Sequence, residues 1–77
     1  MSYSEYAKRL YKRIVGSDCE CQKIYRGITE PGKYAYWDLD REPSQLTIID
    51  TNNNSVSYID EAVQQVLLDF HFRPLDE

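Results

Sequence analysis

Residues 32–60 read GKYAYWDLD-REPS-QLTIID-TNNN-SVSYID, three runs rich in β-branched and aromatic residues separated by two short polar runs. Such residues are enriched in β-strands, whereas Pro, Ser and Asn are enriched in the turns between strands. In the first run, Ala35, Trp37 and Leu39 alternate with tyrosine and aspartate, which is the period of a strand. This stretch therefore predicts three consecutive antiparallel strands joined by short connections.

A helix and a further strand are predicted before this stretch. Ser2 and Glu5 form a capping box, and apolar residues then recur at helical spacing. Gly16 follows where a left-handed residue would end the helix. Residues 19–28 alternate as an extended segment does, and they predict the first strand.

A second helix is predicted after it. Asp60 suits the N-cap, and Arg73-Pro74 suits the end, because the residue before a proline is disfavoured in a helix. The tail after Pro74 is expected to be loose. The apolar stripe expected to face the core consists of Ala62, Val63, Val66, Leu67 and Phe70.

We therefore predict a single small α+β domain over residues 1–77, with the element order α-β-β-β-β-α. The sheet is expected to have three to four antiparallel strands, with the N-terminal and C-terminal helices both on one face. A core of this size is marginal, so such a domain often relies on a partner or a second copy.

Charge is unevenly spread along the chain, whose net charge is −4. Residues 1–33 contain seven Lys/Arg and four Asp/Glu, whereas residues 34–77 contain two and nine. The acidic total argues against non-specific nucleic-acid binding. Two cysteines are too few for a disulfide framework, and no apolar run approaches the about 20 residues that span a bilayer. We therefore expect a cytoplasmic protein that does not associate with membranes.

Strand alternation predicts which side chains point away from the helices. The expected core-facing set is Ile24, Ala35, Trp37, Leu39, Leu46, Ile48, Val56 and Tyr58. Tyrosines beside an aliphatic residue and a cation have the composition of a protein-binding hot spot. On the opposite face, which also carries Thr47, the predicted protein-binding residues are Lys23, Tyr25, Tyr34, Tyr36 and Ile49. Cross-strand packing alone is the alternative explanation for these tyrosines.

The basic side of the first helix, where tyrosines are interleaved with cations, is an alternative interface. The candidate nucleic-acid-binding residues are Lys8, Arg9, Lys12 and Arg13. The order and size of the elements resemble those of double-stranded-RNA-binding domains. In that family a basic cluster opens the last helix, whereas this chain has Asp60 and Glu61 there, which would repel phosphate.

Two acidic segments have features of metal sites. Residues 50–61 resemble a calcium-binding EF-hand loop in placing Asp, Asn, Asn and Glu at positions 1, 3, 5 and 12. Ser55 replaces the glycine that makes the sharp turn, so we interpret the segment as a hairpin turn followed by a helix cap. Asp38, Asp40 and Glu42 fit a solvated strand end that resists edge pairing.

Three residues with reactive side chains have no partners in the sequence pattern. Cys19 and Cys21 fall short of the four ligands of a thiolate metal site, and a redox role for them is left open. His71 suits a helix C-terminus, and no pattern supplies a nucleophile beside it. We predict no metal, no cofactor and no catalytic residue.

These features predict a non-catalytic protein-binding module, such as a small inhibitor, adaptor or regulatory subunit, that uses the tyrosine-rich sheet face. The predicted partner is another protein, and a homodimer with a second copy is one candidate. Nucleic-acid binding through the first helix is the alternative. The same features fit small accessory proteins of phages and mobile elements.

Overall fold

The computed structural model describes residues 3–30, 32–50, 52 and 54–75. Two helices and a five-stranded antiparallel sheet confirm the α+β class and the predicted element order, with one strand more than expected. The strands lie in the order β4-β3-β2-β1-β5. The elements are α1 (Tyr3–Val15), β1 (Lys23–Gly27), β2 (Tyr34–Asp38), β3 (Gln45–Ile49), β4 (Ser55–Tyr58), α2 (Glu61–His71) and β5 (Phe72–Pro74).

Local signals correctly placed the end of α1 and the start of α2. Gly16 follows α1 with a φ of 92°, a left-handed conformation that glycine adopts without steric cost. Asp60 caps α2, because its Oδ1 accepts the backbone N–H groups of Ala62 at 2.9 Å and Val63 at 3.4 Å. Ser2 lies outside the described residues.

The fifth strand, which follows the second helix directly, is not predicted by the sequence pattern. The helix ends at His71, and Phe72–Pro74 turn into an edge strand that pairs antiparallel with β1, Arg73 opposite Arg26. A proline fits there because an edge strand does not need every backbone N–H in the ladder.

The two helices lie on opposite faces of the sheet, so the expectation that both share one face is wrong. The Tyr36 hydroxyl donates to the backbone carbonyl of Ala7 in α1 at 2.6 Å. The next residue, Trp37, donates its indole N–H to the Gln64 side chain in α2 at 3.0 Å. Because successive strand residues point to opposite faces, each helix covers a different face.

Each face accordingly has its own core. We call the first the helix-1 core; its buried residues are Ala7, Leu10, Tyr34, Tyr36 and Ile49. The second is the helix-2 core, whose buried residues are Ala35, Leu46, Leu68 and Phe72. The central strand β2 has apolar side chains on both faces. A single helix covers only one face of a sheet, so a helix is needed on each side. Among the described residues, no helix has the length and apolar character that crossing a membrane requires.

Candidate functional site

The predicted tyrosine-rich binding face is largely buried. Tyr34, Tyr36 and Ile49 lie in the helix-1 core, and Tyr36 is 0% exposed. Thr47 is also buried and is paired with Tyr36 across the β2–β3 ladder. Burial raises the pKa of the Tyr36 hydroxyl far above its usual range. These side chains are therefore core residues, and the prediction that they form an exposed face is wrong.

The five predicted protein-binding residues do not share one face of the sheet. Tyr25 is paired with Ala35 across the β1–β2 ladder, and directly paired residues share a face, so Tyr25 lies on the α2 side. Its ring centroid is 6.3 Å from that of Trp37, and the Lys23 ammonium is 5.8 Å from the Trp37 ring. The predicted alternation of β1 was therefore wrong by one residue relative to β2. Ile24 was predicted to share the face of Ala35, but it contacts the helix-1 core on the opposite face.

The most prominent exposed apolar surface is on α2. Val63, Val66 and Phe70 stay exposed at spacings of three and four positions, which places them along one side of the helix, and Ile59 is exposed two residues before the helix begins. We call them the outer stripe: Ile59 (64% exposed), Val63 (39%), Val66 (54%) and Phe70 (68%). The sequence pattern predicted that Val63, Val66 and Phe70 face the core, but they are exposed in the structure.

A buried glutamine explains why the stripe faces outward. Gln64 is 0% exposed, and its Oε1 accepts from the Trp37 indole and the Ser44 hydroxyl, both at 3.0 Å. Its Nε2 donates to the backbone carbonyls of Ser44 and Tyr58, both at 2.8 Å. Residues two apart on a helix differ by about 200°, so fixing Gln64 inward turns Val66 outward.

A cleft of about 210 Å³ lies between α2, the β4 edge and the β1–β2 connection. Leu67, one turn after Val63, lines it together with Val56 of the edge strand, which is half exposed. His71 also lines the cleft, and its Nδ1 is 3.1 Å from the Thr29 hydroxyl. The residues that line the cleft are polar as well as apolar, and they do not include the outer stripe.

The charges along the stripe have one sign. Residues 59–70 contain Asp60, Glu61 and Asp69 and no Lys or Arg. All three carboxylate residues are exposed, and Asp69 accepts a hydrogen bond from Gln65 at 2.9 Å. The outer stripe is therefore an apolar band with an acidic border.

The basic side of α1 is exposed as the sequence predicted, in the set Lys8, Arg9, Lys12 and Arg13. Its interleaved tyrosines are engaged in packing: Tyr6 and Tyr11 have ring centroids 5.9 Å and 4.9 Å from those of Tyr34 and Tyr36. Lys12 also pairs with Asp18 at 3.1 Å. This surface offers phosphate contacts but little aromatic area for stacking on bases.

The acidic segments considered for metals use their carboxylates within the chain. Asp50 accepts the backbone N–H of Asn52 at 2.8 Å, and Asp38 accepts that of Asp40 at 3.1 Å. Arg41 pairs with Asp38 at 3.4 Å. In the part of the chain that the structure describes, which excludes residues 51 and 53, no three His, Cys, Asp or Glu residues come together as a metal site would require.

Comparison with protein-family models, curated proteins and solved structures gives no match for this chain. Function must therefore be inferred from the surface of the chain itself.

Proposed function

We propose that this chain is a non-catalytic protein-binding module whose docking surface is the outer stripe of α2. The observation that carries the proposal is the exposure of Val63, Val66 and Phe70 on one side of a helix that already buries its other side, with Ile59 exposed just before the helix begins. Contiguous exposed apolar surface on a small domain marks an interaction site. The predicted sheet face offers a partner less surface, because Tyr34 and Tyr36 are buried in the helix-1 core.

The expected anchor of this surface is Phe70. Its side chain is 68% exposed, and burying a Phe side chain fully is worth about 1.5–3 kcal/mol. Aromatic residues that become desolvated at the centre of an interface are typical hot spots. Val66, one turn before Phe70, adds aliphatic area on the same side.

The partner chemistry that fits best is a cationic amphipathic helix. The i, i+3, i+7 spacing of Val63, Val66 and Phe70 matches a second helix laid alongside α2. Glu61 and Asp69 at the border would pair with Lys or Arg of that partner. A second copy of this chain docking through the same surface would instead bring like charges together.

A defined peptide pair tests this proposal. The probe is a fluorescein-labelled synthetic helix with leucines along one side and lysines elsewhere, and its counterpart carries glutamate at every lysine position. Fluorescence anisotropy in 150 mM salt should show that wild type binds the lysine peptide and not the glutamate peptide. Val66→Ser with Phe70→Ser should weaken binding by roughly thirtyfold or more.

Val15→Ser is a matched control for Val66→Ser, because Val15 is 40% exposed at the end of the other helix. It should leave affinity unchanged, and circular dichroism should show that every variant is folded. Equal affinity of the stripe variant and wild type would refute the proposal. Binding of both peptides would refute the charge assignment alone. A wild-type dimer in light scattering that Val66→Ser dissociates would identify a second copy as the occupant.

A further inference from the structure

The cleft between α2, β4 and the β1–β2 connection combines an apolar floor with a polar rim. The floor consists of four apolar side chains, each from a different element: Ile48 of β3, Val56 of β4, Leu67 of α2 and Phe72 of β5. The rim is formed by the two loops at this end of the sheet and by His71. An apolar cleft with a few convergent polar groups is the usual form of a small-molecule site.

Backbone hydrogen bonds fix the wall formed by the β1–β2 connection. The Gly27 N–H donates to the Lys33 carbonyl at 2.8 Å, and the Ile28 N–H donates to the His71 carbonyl at 2.9 Å. A Cβ atom at Gly27 would lie 2.6 Å from the Glu30 carbonyl oxygen, so glycine lets the connection fold back this tightly. Because these contacts belong to the fold, the cleft is already formed before a ligand arrives.

Acidic groups outnumber basic groups at the rim. Lys33 is the only Lys or Arg among the described lining residues, and its ammonium is 2.6 Å from the Glu30 carboxylate. Asp50, in the other loop, adds a second carboxylate, which is half-buried and accepts hydrogen bonds from uncharged backbone N–H groups of its own turn. With His71 neutral, the rim therefore carries one negative charge in excess. A half-buried charge is screened by salt less than an exposed one.

We propose that the cleft binds a small organic cation in which an ammonium group is joined by a short arm to an apolar ring. The ring lies on the apolar floor, and the ammonium lies at the rim, where Asp50 attracts it. An engineered cavity of about 150 Å³ accommodates benzene, so a cleft of about 210 Å³ has room for a ring and a short arm. Carboxylate ligands are disfavoured, because Lys33 is already paired with Glu30. The described lining residues do not include the outer stripe, so this site is separate from the proposed docking surface.

Three probes of nearly the same shape test the proposal: phenethylamine, phenethyl alcohol and hydrocinnamate. Near neutral pH the first is a cation, the second is uncharged and the third is an anion. Titration of the ¹⁵N-labelled chain, followed by NMR, should shift the amide signals of Gly27, Val56 and Leu67. The amine should bind at least about fivefold more tightly than the alcohol, and the anion should bind most weakly. Cleft signals that millimolar amine leaves unmoved would refute the site, and equal affinity for all three probes would refute its selectivity for cations.

Asp50→Asn separates charge from shape. Asparagine keeps an Oδ1 for the backbone N–H groups of Asn52 and Asn54, which Asp50 accepts at 2.8 Å and 3.3 Å, so the turn should persist. The variant should bind the alcohol as wild type does and lose most of the preference for the amine. Glu20→Gln removes the same charge at an exposed position in the α1–β1 connection and should leave all three affinities unchanged. An equal loss of preference in both variants would show that net charge selects the cation, and would overturn the assignment.

Val56→Thr tests the apolar floor. Threonine keeps the β-branched shape, and Val56 is half exposed, so circular dichroism should show a folded chain. The variant should bind all three probes more weakly and to a similar extent, because each probe places its ring on the floor. Unchanged affinities would place the ring elsewhere and refute the site.

Discussion

Tyr36 illustrates how one side chain can stabilise the fold and also set its response to alkali. Its ring is fully buried in the helix-1 core, and its hydroxyl donates to the Ala7 carbonyl at 2.6 Å. Burial raises its pKa above the ordinary value of 10.0, so the folded state favours the neutral phenol. The stability that this group contributes is fully present below about pH 10 and is lost as the pH rises above it, because only the unfolded chain then releases the proton.

Tyr36→Phe separates these two effects. The variant should lose about 1 kcal/mol of unfolding free energy at pH 7, since it loses one hydrogen bond. Between pH 9 and 11 its stability should fall less steeply than that of wild type, because the titrating group is gone. Urea unfolding followed by circular dichroism measures both quantities. Tyr6→Phe, at a ring that is 44% exposed, is the control, and identical slopes for Tyr36→Phe and wild type would contradict the account.

The position of the second helix depends on hydrogen bonds more than on its apolar residues. A helix with Val63, Val66 and Phe70 on one side would be expected to bury that side. In the structure Gln64 and Leu68 are buried instead, and Gln64 has all four of its hydrogen bonds. An unpaired buried amide is more costly than an exposed valine, so the glutamine determines the rotation of the helix.

Gln64→Leu should therefore destabilise the domain, although leucine has a similar volume and a higher helix propensity. We expect a loss of about 2–3 kcal/mol, because partly buried partners lose their hydrogen bonds to Gln64. These partners are Trp37 in β2, Ser44 in the loop before β3, and Tyr58 in β4. Trp37 fluorescence should also change, since the indole N–H loses its acceptor. Gln65→Leu, at the exposed neighbouring position, should stay within about 0.5 kcal/mol of wild type. A Gln64→Leu variant as stable as wild type would show that packing alone orients α2.

Charge on the whole molecule is separated across the sheet. Helix α1 contributes Lys8, Arg9, Lys12 and Arg13 on one side, and α2 contributes Glu61 and Asp69 on the other. A basic partner is therefore attracted to the α2 side of the sheet, and an anionic polymer is attracted to the α1 side. The net charge of −4 weakens the second attraction at a distance.

Nucleic-acid binding through α1 should consequently be weak and dependent on salt. We expect measurable binding to a labelled duplex only at low ionic strength, falling by nearly one log unit per contacted phosphate for each tenfold rise in salt. Replacing the four α1 cations with Ala should abolish it, whereas Glu61→Gln with Asp69→Gln should not. Submicromolar affinity in 150 mM salt that the α1 variant loses would favour the nucleic-acid function over the protein-binding one.

Local chemistry in the sequence was enough to predict both helices and the first four strands. The α1 end at Gly16, the Asp60 cap and the strand alternation each depend on backbone geometry or hydrogen bonds between residues close in the chain, so a short window contains their cause. The fifth strand could not be predicted in this way. Phe72–Pro74 pair with β1, which is far away in the sequence, so no short stretch of sequence contains both strands.

The tertiary structure alone decided which surfaces are covered. Alternation in YAYW, residues 34–37, separates two faces but does not say that both are covered, because each carries large apolar side chains. That outcome depends on where α1 and α2 dock, and the docking of α2 depends on Gln64 meeting groups 6 to 27 positions away. Burial is a property of such distant contacts, and for this reason the tyrosines became core and the α2 stripe became surface.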